Sequence, residues 1–164
     1  MLSFLRMTTT RVNESIFTSG IISQKKKQKL GVASVVSLTD EVPRKKRIAG
    51  EIVFPLNTDF RNPPERIIEI LHVIDMQIRN GYAPILVHCE HGHDRSPAVV
   101  ATYLYCKGDF SSFDRALEHI KSMNPKIKPK KEFVSFIKDE ALPLLETSKQ
   151  KPPPPARGKD GGFG

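Results

Sequence analysis

Cys89 and Arg95 stand with five residues between them in the stretch Val87-His88-Cys89-Glu90-His91-Gly92-His93-Asp94-Arg95-Ser96-Pro97. A thiol and a guanidinium at this spacing, between an apolar run and a helix-forming run, are what a phosphate cradle requires. The intervening backbone amides, those of Glu90, His91, Gly92, His93, Asp94 and Arg95, can curl around phosphoryl oxygens, and the helix that follows turns its positive end toward the same point. Gly92 permits a backbone conformation that other residues resist. Arg95 can fork onto two oxygens of one dianion, and Lys would not match that planar geometry. Cys89, beneath these donors, is expected to be a thiolate at neutral pH and therefore a nucleophile toward phosphorus.

Such a loop needs a buried strand before it and a helix after it. Ala83-Pro84-Ile85-Leu86-Val87-His88 is apolar without alternation, as expected of a central strand covered on both faces. Helices are predicted over 97–107, 112–123 and 130–145, separated by Gly108-Asp109 and Asn124-Pro125. Upstream, Ser15 to Gly20 reads as a short strand and Ser23 to Leu30 as a helix closed by Gly31. Val32 to Leu38 reads as a buried strand and Glu51 to Leu56 as a third. Ile67, Ile68, Leu71, Ile74 and Ile78 recur at helical spacing between Glu65 and Asn80. The order of these elements predicts an α/β fold, a central, mostly parallel sheet flanked by helices on both faces.

At 164 residues the chain is one domain in length, and its composition, 38% hydrophobic and 27% charged, is that of a globular protein. No apolar run approaches the roughly 20 residues of a membrane span, the start lacks the pattern of a secretory signal, and two Cys cannot build a disulfide framework. A cytoplasmic protein is the expectation. Residues 1–13 read as a loose arm, 14–147 as the catalytic domain, and 148–164, with four consecutive Pro, as a disordered basic tail. The net charge of +8 favours anionic partners. The clusters at 25–27, 44–47 and 126–131 read as solvated faces, of which the last two could steer acidic phosphopeptides.

His88, Cys89, Arg95 and Ser96 match the His-Cys-x5-Arg-Ser/Thr signature, and the chain resembles the cysteine-dependent protein phosphatases, in particular the small dual-specificity phosphatases. Thr18-Ser19-Gly20, Val35-Val36-Ser37-Leu38, the run from Arg95 to Leu104 and Asn124-Pro125 carry the resemblance further, over about residues 15 to 140. It implies a protein tyrosine phosphatase-like fold and hydrolysis of phosphotyrosine on proteins, extending to phosphoserine and phosphothreonine, through a cysteinyl-phosphate. No cofactor or metal is implied. Within it, Cys89 is the nucleophile, Arg95 the phosphoryl clamp, Ser96 the donor to the departing thiolate, and Asp59 the general acid on a mobile loop. His88 would act indirectly, through nearby backbone.

The loop departs from the usual pattern at Glu90, His91, His93 and Asp94. Asp94, directly before Arg95, resembles an Asp of myotubularin-type lipid phosphatases and is a second candidate acid. Asp59 is preferred because the donor must reach the leaving oxygen. The plain alternative for Asp94 is a carboxylate paired with a neighbouring cation or a backbone amide. His91-Gly92 partly matches RNA 5′-triphosphatases, so phosphoinositide and RNA 5′-phosphatase activities are the enzymatic alternatives, and a phosphate-binding pseudophosphatase the non-enzymatic one. Nucleic acid is the less favoured partner, because few aromatics accompany the basic residues. A metal site of His88, Cys89, His91 and His93 is disfavoured by crowding on one tight loop. Cys106 reads as a packed thiol.

Overall fold

The computed structural model describes residues 9–57 and 61–147. Asp59 and the tail from 148 lie outside the described residues, as does most of the segment read as a loose arm. Five strands form one sheet in the order β1-β2-β5-β3-β4, comprising β1 (Thr10–Arg11), β2 (Ile16–Ser19), β3 (Ser34–Ser37), β4 (Ile52–Val53) and β5 (Ile85–His88). Only β1 runs antiparallel to its neighbour. The fold is therefore α/β and mostly parallel, as the order of elements predicted.

Alternation along the strands separates two cores. Ile16, Val36, Ile85 and Val87 point into the larger, and Phe17, Val35 and Leu86 into a smaller one with Ile22. The larger is covered by α2 (Pro64–Arg79), α3 (Arg95–Cys106), α4 (Phe113–Met123) and a C-terminal run of α5 (Lys131–Phe136), a π-helical stretch Ile137–Ala141 and α6 (Leu142–Thr147). On the opposite face the chain of α1 (Gln24–Leu30) contributes Leu30, with Val32 and Ile48 packing beside it. The sheet is thus deep on one side and thinly covered on the other.

Local signals explain most boundaries. Ser23 caps α1 by accepting from the Lys26 amide at 3.1 Å, and Gly31, at φ 70°, ends it in the left-handed region. Ser112 caps α4 in the same way, from the Arg115 amide. The strand expected over 51–56 is cut to Ile52–Val53, although Phe54 N and Leu56 N still bond to Ser37 O and Leu38 O at 2.8 and 3.0 Å. Pro55 has no N–H to continue a ladder.

Order reaches further toward the N-terminus than the sequence suggested. Thr10 and Arg11, placed in the loose arm, pair with Thr18 and Phe17, and Val12 is buried. The physical reason is long-range: Asn124 Nδ2 donates to Thr10 Oγ1 at 3.2 Å, and the Arg11 guanidinium lies over the Phe17 ring. Elsewhere, Asp75 joins α2 to α3, accepting from Tyr103 Oη at 3.0 Å, Lys107 Nζ at 2.9 Å and Arg79 Nε at 2.7 Å. Burial opposes its charge, but the Lys107 and Tyr103 hydrogen bonds and the two cations outweigh that and lower its pKa.

Candidate active site

The signature loop leaves β5 at the middle of the sheet, where neighbouring strands hold both of its sides. Cys89 N donates to Ser19 O at 3.2 Å and Leu38 N to His88 O at 2.8 Å. Beyond β2, Ile21 N donates to Glu90 O at 3.0 Å, and Gly20 bridges His91. A loop after a central parallel strand has a neighbour's end on each flank, which is the usual crevice of open α/β sheets.

Cys89 is buried at 1% exposure, and its sulfur is met by one backbone donor and one hydroxyl. Gly92 N donates to Sγ at 3.3 Å, which requires the loop to fold back over three residues, and Gly92 does so at φ 80°. Ser96 Oγ lies 3.4 Å from the same sulfur, within reach also of Ser19 O at 3.5 Å. Ser96 is fully buried in the first turn of α3, so its hydroxyl has few alternatives.

Arg95 is 7% exposed, and its guanidinium divides its donors. Nη1 donates to Leu56 O at 2.6 Å and Leu38 O at 3.3 Å, anchoring the side chain to the chain ends beyond β3 and β4. Nε, though buried, has no hydrogen-bond partner among the described residues, and Nη2 has Glu90 Oε2 at 3.9 Å. The Nε–Nη2 edge is the one a tetrahedral oxyanion accepts from bidentately.

Asp94 is tied to a neighbouring segment. Its Oδ1 accepts the Lys130 amide at 2.8 Å, and His93 O accepts the Lys128 amide at 2.9 Å, so the loop is stitched to segment 126–131. Asp94 Oδ2 is buried with no hydrogen-bond partner among the described residues. Lys126, Lys128, Lys130 and Lys131 are exposed beside the loop. His91 and His93 stack with ring centroids 6.5 Å apart, and burial together with the charges of His91 and Lys126 lowers the His93 pKa. Among the described residues no three His, Cys, Asp or Glu side chains gather into a metal-ligand set.

Beneath the loop His88, expected to act through nearby backbone, is backed by Glu51 and Lys27, which sequence reasoning missed. His88 Nδ1 is 3.1 Å from Cys89 O and Nε2 is 3.3 Å from Glu51 Oε1. Glu51 Oε2 accepts from Lys27 Nζ and from Ile48 N, both at 3.1 Å, and Lys27 Nζ also donates to Lys46 O at 2.7 Å. Lys27 was read as part of a solvated cluster, yet its side chain is 1% exposed. The run Lys25-Lys26-Lys27 carries no signal that singles it out. Burial works against the Glu51 charge, but hydrogen bonds from His88, Ile48 N and Lys27, with the Lys27 charge, bring its pKa down to about 2.

Cys106, also buried and unbridged, ends α3, whose eleven steps put it about 16 Å along the helix from Arg95. Both cysteines are free thiols, and no disulfide joins Cys106 to Cys89.

The fold described above is shared with known proteins. The family described as dual specificity phosphatase, catalytic domain, matches residues 17–140. A solved structure of a human DUSP28 variant is 24% identical over 85% of this chain and 98% of its own, with a TM-score of 0.72. The human tyrosine phosphatase-like serine/threonine/tyrosine-interacting protein is 18% identical over 84% and 97%, with a TM-score of 0.69. PTPMT1 in complex with PI(5)P is 13% identical over 85% and 97%, with a TM-score of 0.71. None of the curated proteins compared matches in sequence. With its fold, its signature loop and a family match spanning most of its length, the chain belongs to the dual specificity phosphatase catalytic-domain family.

Proposed function

We propose that the protein hydrolyses phosphomonoesters on proteins, phosphotyrosine foremost and phosphoserine and phosphothreonine with it, through a cysteinyl-phosphate. The observation that carries this reading is the pairing of a buried Cys89 sulfur, met by Gly92 N and Ser96 Oγ, with an Arg95 whose Nε has no hydrogen-bond partner among the described residues. Pseudoenzymes normally lose one of these two residues, and both are present here.

In the first step Cys89 Sγ forms the S–P bond as the P–O bond to the leaving group breaks, and Asp59, protonated, delivers its proton to the leaving oxygen. In the second, Asp59 as carboxylate takes a proton from water, whose oxygen attacks phosphorus and releases the thiolate to the Ser96 hydroxyl. Arg95, with the amides of Glu90, His91, Gly92, His93 and Asp94, stabilises the equatorial oxygens in both steps. Asp59 follows Leu56, the residue whose carbonyl holds Arg95 Nη1, by three positions. Asp94 is assigned a tethering role, because its Oδ1 is bonded to the Lys130 amide.

Purified protein should release phosphate from an aryl phosphate without added metal, be blocked by vanadate, and lose activity as Cys89→Ser; retained activity in that variant defeats the mechanism. With a poor leaving group, Asp59→Ala should lose about 10²–10⁴-fold in rate, and a loss confined to Asp94→Ala would reverse the assignment. Phosphopeptides, phosphoinositides and 5′-triphosphorylated RNA assayed side by side decide the substrate class, and preference for either of the latter two overturns the protein-substrate reading.

A further inference from the structure

A buried chain of charged and polar groups runs from α1 to the nucleophile. Lys27 Nζ to Glu51 Oε2 is 3.1 Å, Glu51 Oε1 to His88 Nε2 is 3.3 Å, and His88 Nδ1 to Cys89 O is 3.1 Å. The side chains of Lys27, Glu51 and His88 are exposed by 1%, 3% and 0%. They come from α1, from the residue before β4 and from the end of β5, so the chain crosses the sheet from an edge strand to its centre. Replacing a buried ion pair by apolar groups is commonly neutral or stabilising, so stability alone is a weak reason for placing one here.

The geometry supplies a reason. An imidazole rotates about two side-chain torsions, and its position sets the direction of the Cys89 carbonyl only if the far nitrogen is held. Glu51 holds it. Lys27 and the Ile48 amide in turn occupy the other carboxylate oxygen, leaving Glu51 one orientation. The arrangement has the logic of a carboxylate orienting a histidine from behind.

We propose that Lys27 and Glu51 are positioning residues of the dephosphorylation site, locking the His88 ring and through it the Cys89 backbone, so that Sγ stays under the Gly92 amide and the Ser96 hydroxyl. The proposal rests on Cys89 being the nucleophile, and its test reads the thiol directly as well as turnover. The titratable and charged groups around this chain are Lys27, Glu51 and His88 on the sheet side, and Glu90, His91 and Arg95 on the loop side.

The test is Lys27→Met combined with Glu51→Leu, which removes both charges at nearly constant volume. In folded protein kcat should fall about tenfold to hundredfold with KM within about twofold of the parent. The ratio of Cys89 alkylation rates by iodoacetamide at about pH 6 and about pH 8 should fall by about threefold, because only the thiolate reacts. Lys27→Met with Glu51→Gln, which restores an acceptor for His88 Nε2 without charge, should recover part of both. A folded Met/Leu variant with the parent's kcat and alkylation ratio overturns the proposal. If that variant does not fold, Glu51→Asp withdraws the carboxylate by ~1.5 Å with both charges kept, and an unchanged alkylation ratio there overturns it equally. A parent protein inactive on every phosphoester would sink the proposed function instead, while the alkylation ratios would still decide the positioning role of Lys27 and Glu51.

Discussion

Arg95 Nη1 donates to the carbonyl of Leu56 at 2.6 Å, which joins the start of α3 to the chain just beyond β4. The same nitrogen reaches Leu38 O at 3.3 Å, so one end of the guanidinium is spent on holding it still. The other edge is the one the proposed reaction uses to grip the phosphoryl group. A Lys at this position could supply charge but not an anchored fork. Arg95→Lys should therefore lose about 10²–10³-fold in kcat on an aryl phosphate, with a weakened response to vanadate; steady-state kinetics and vanadate titration check this, and activity within about threefold of the parent would refute it.

Ser96 Oγ touches the Cys89 sulfur at 3.4 Å, where the proposed mechanism has the thiolate received as the cysteinyl-phosphate hydrolyses. Ser96→Ala should slow the second step by about tenfold to hundredfold, the worth of one hydrogen bond to a charged group. Rapid mixing with a good aryl leaving group should then show a burst of the phenol followed by slow turnover, and mass spectrometry should trap phosphorylated Cys89.

Asn57 and Asn62 close the base of the segment that carries Asp59. Asn57 N donates to Asn62 Oδ1 at 2.7 Å, and Asn62 Nδ2 returns a bond to Asn57 O at 3.0 Å. Asn62→Ala should lower kcat for poor leaving groups about tenfold while sparing substrates whose leaving group needs no proton. Equal losses on both substrate types would mean that Asn62 supports the fold and not the acid.

Glu51 titrates near 2 in the folded protein, below the ordinary 4.5. A depressed carboxyl contributes its stability above the unfolded pKa and loses it as pH falls through the folded one. The melting temperature should therefore drop between about pH 4.5 and pH 2, and Lys27→Met with Glu51→Gln should flatten that part of the profile. Asp75, lowered by Lys107 and Tyr103, adds a loss in the acid range that this variant retains. Calorimetry across the acid range reads both.

Much of the site was legible in the chain because its parts are close in sequence. Cys89, Gly92, Arg95 and Ser96 span eight residues, so their spacing alone limits where thiol, turn, guanidinium and hydroxyl can go. Caps at Ser23 and Ser112, and the left-handed Gly31, are likewise set by neighbours within four residues. The apolar run 83–88 identified the central strand, observed over Ile85–His88, and the alternation of elements the parallel sheet.

Contacts across the sheet were not legible. Lys27 looks like its neighbours in a basic run, and it is buried because β4 carries Glu51 to the far side of β3 while β5 presents His88. Thr10 pairs because Asn124 reaches it from a distant turn, and Asp94 is tied because the amide of Lys130 lies beside it. Residue types and local spacing determined the candidate thiol and guanidinium and set them on one loop, five residues apart. Only the strand order decided which backbone carbonyls grip Arg95 and which buried charges stand behind His88, because those partners lie tens of residues apart and meet only when the sheet assembles.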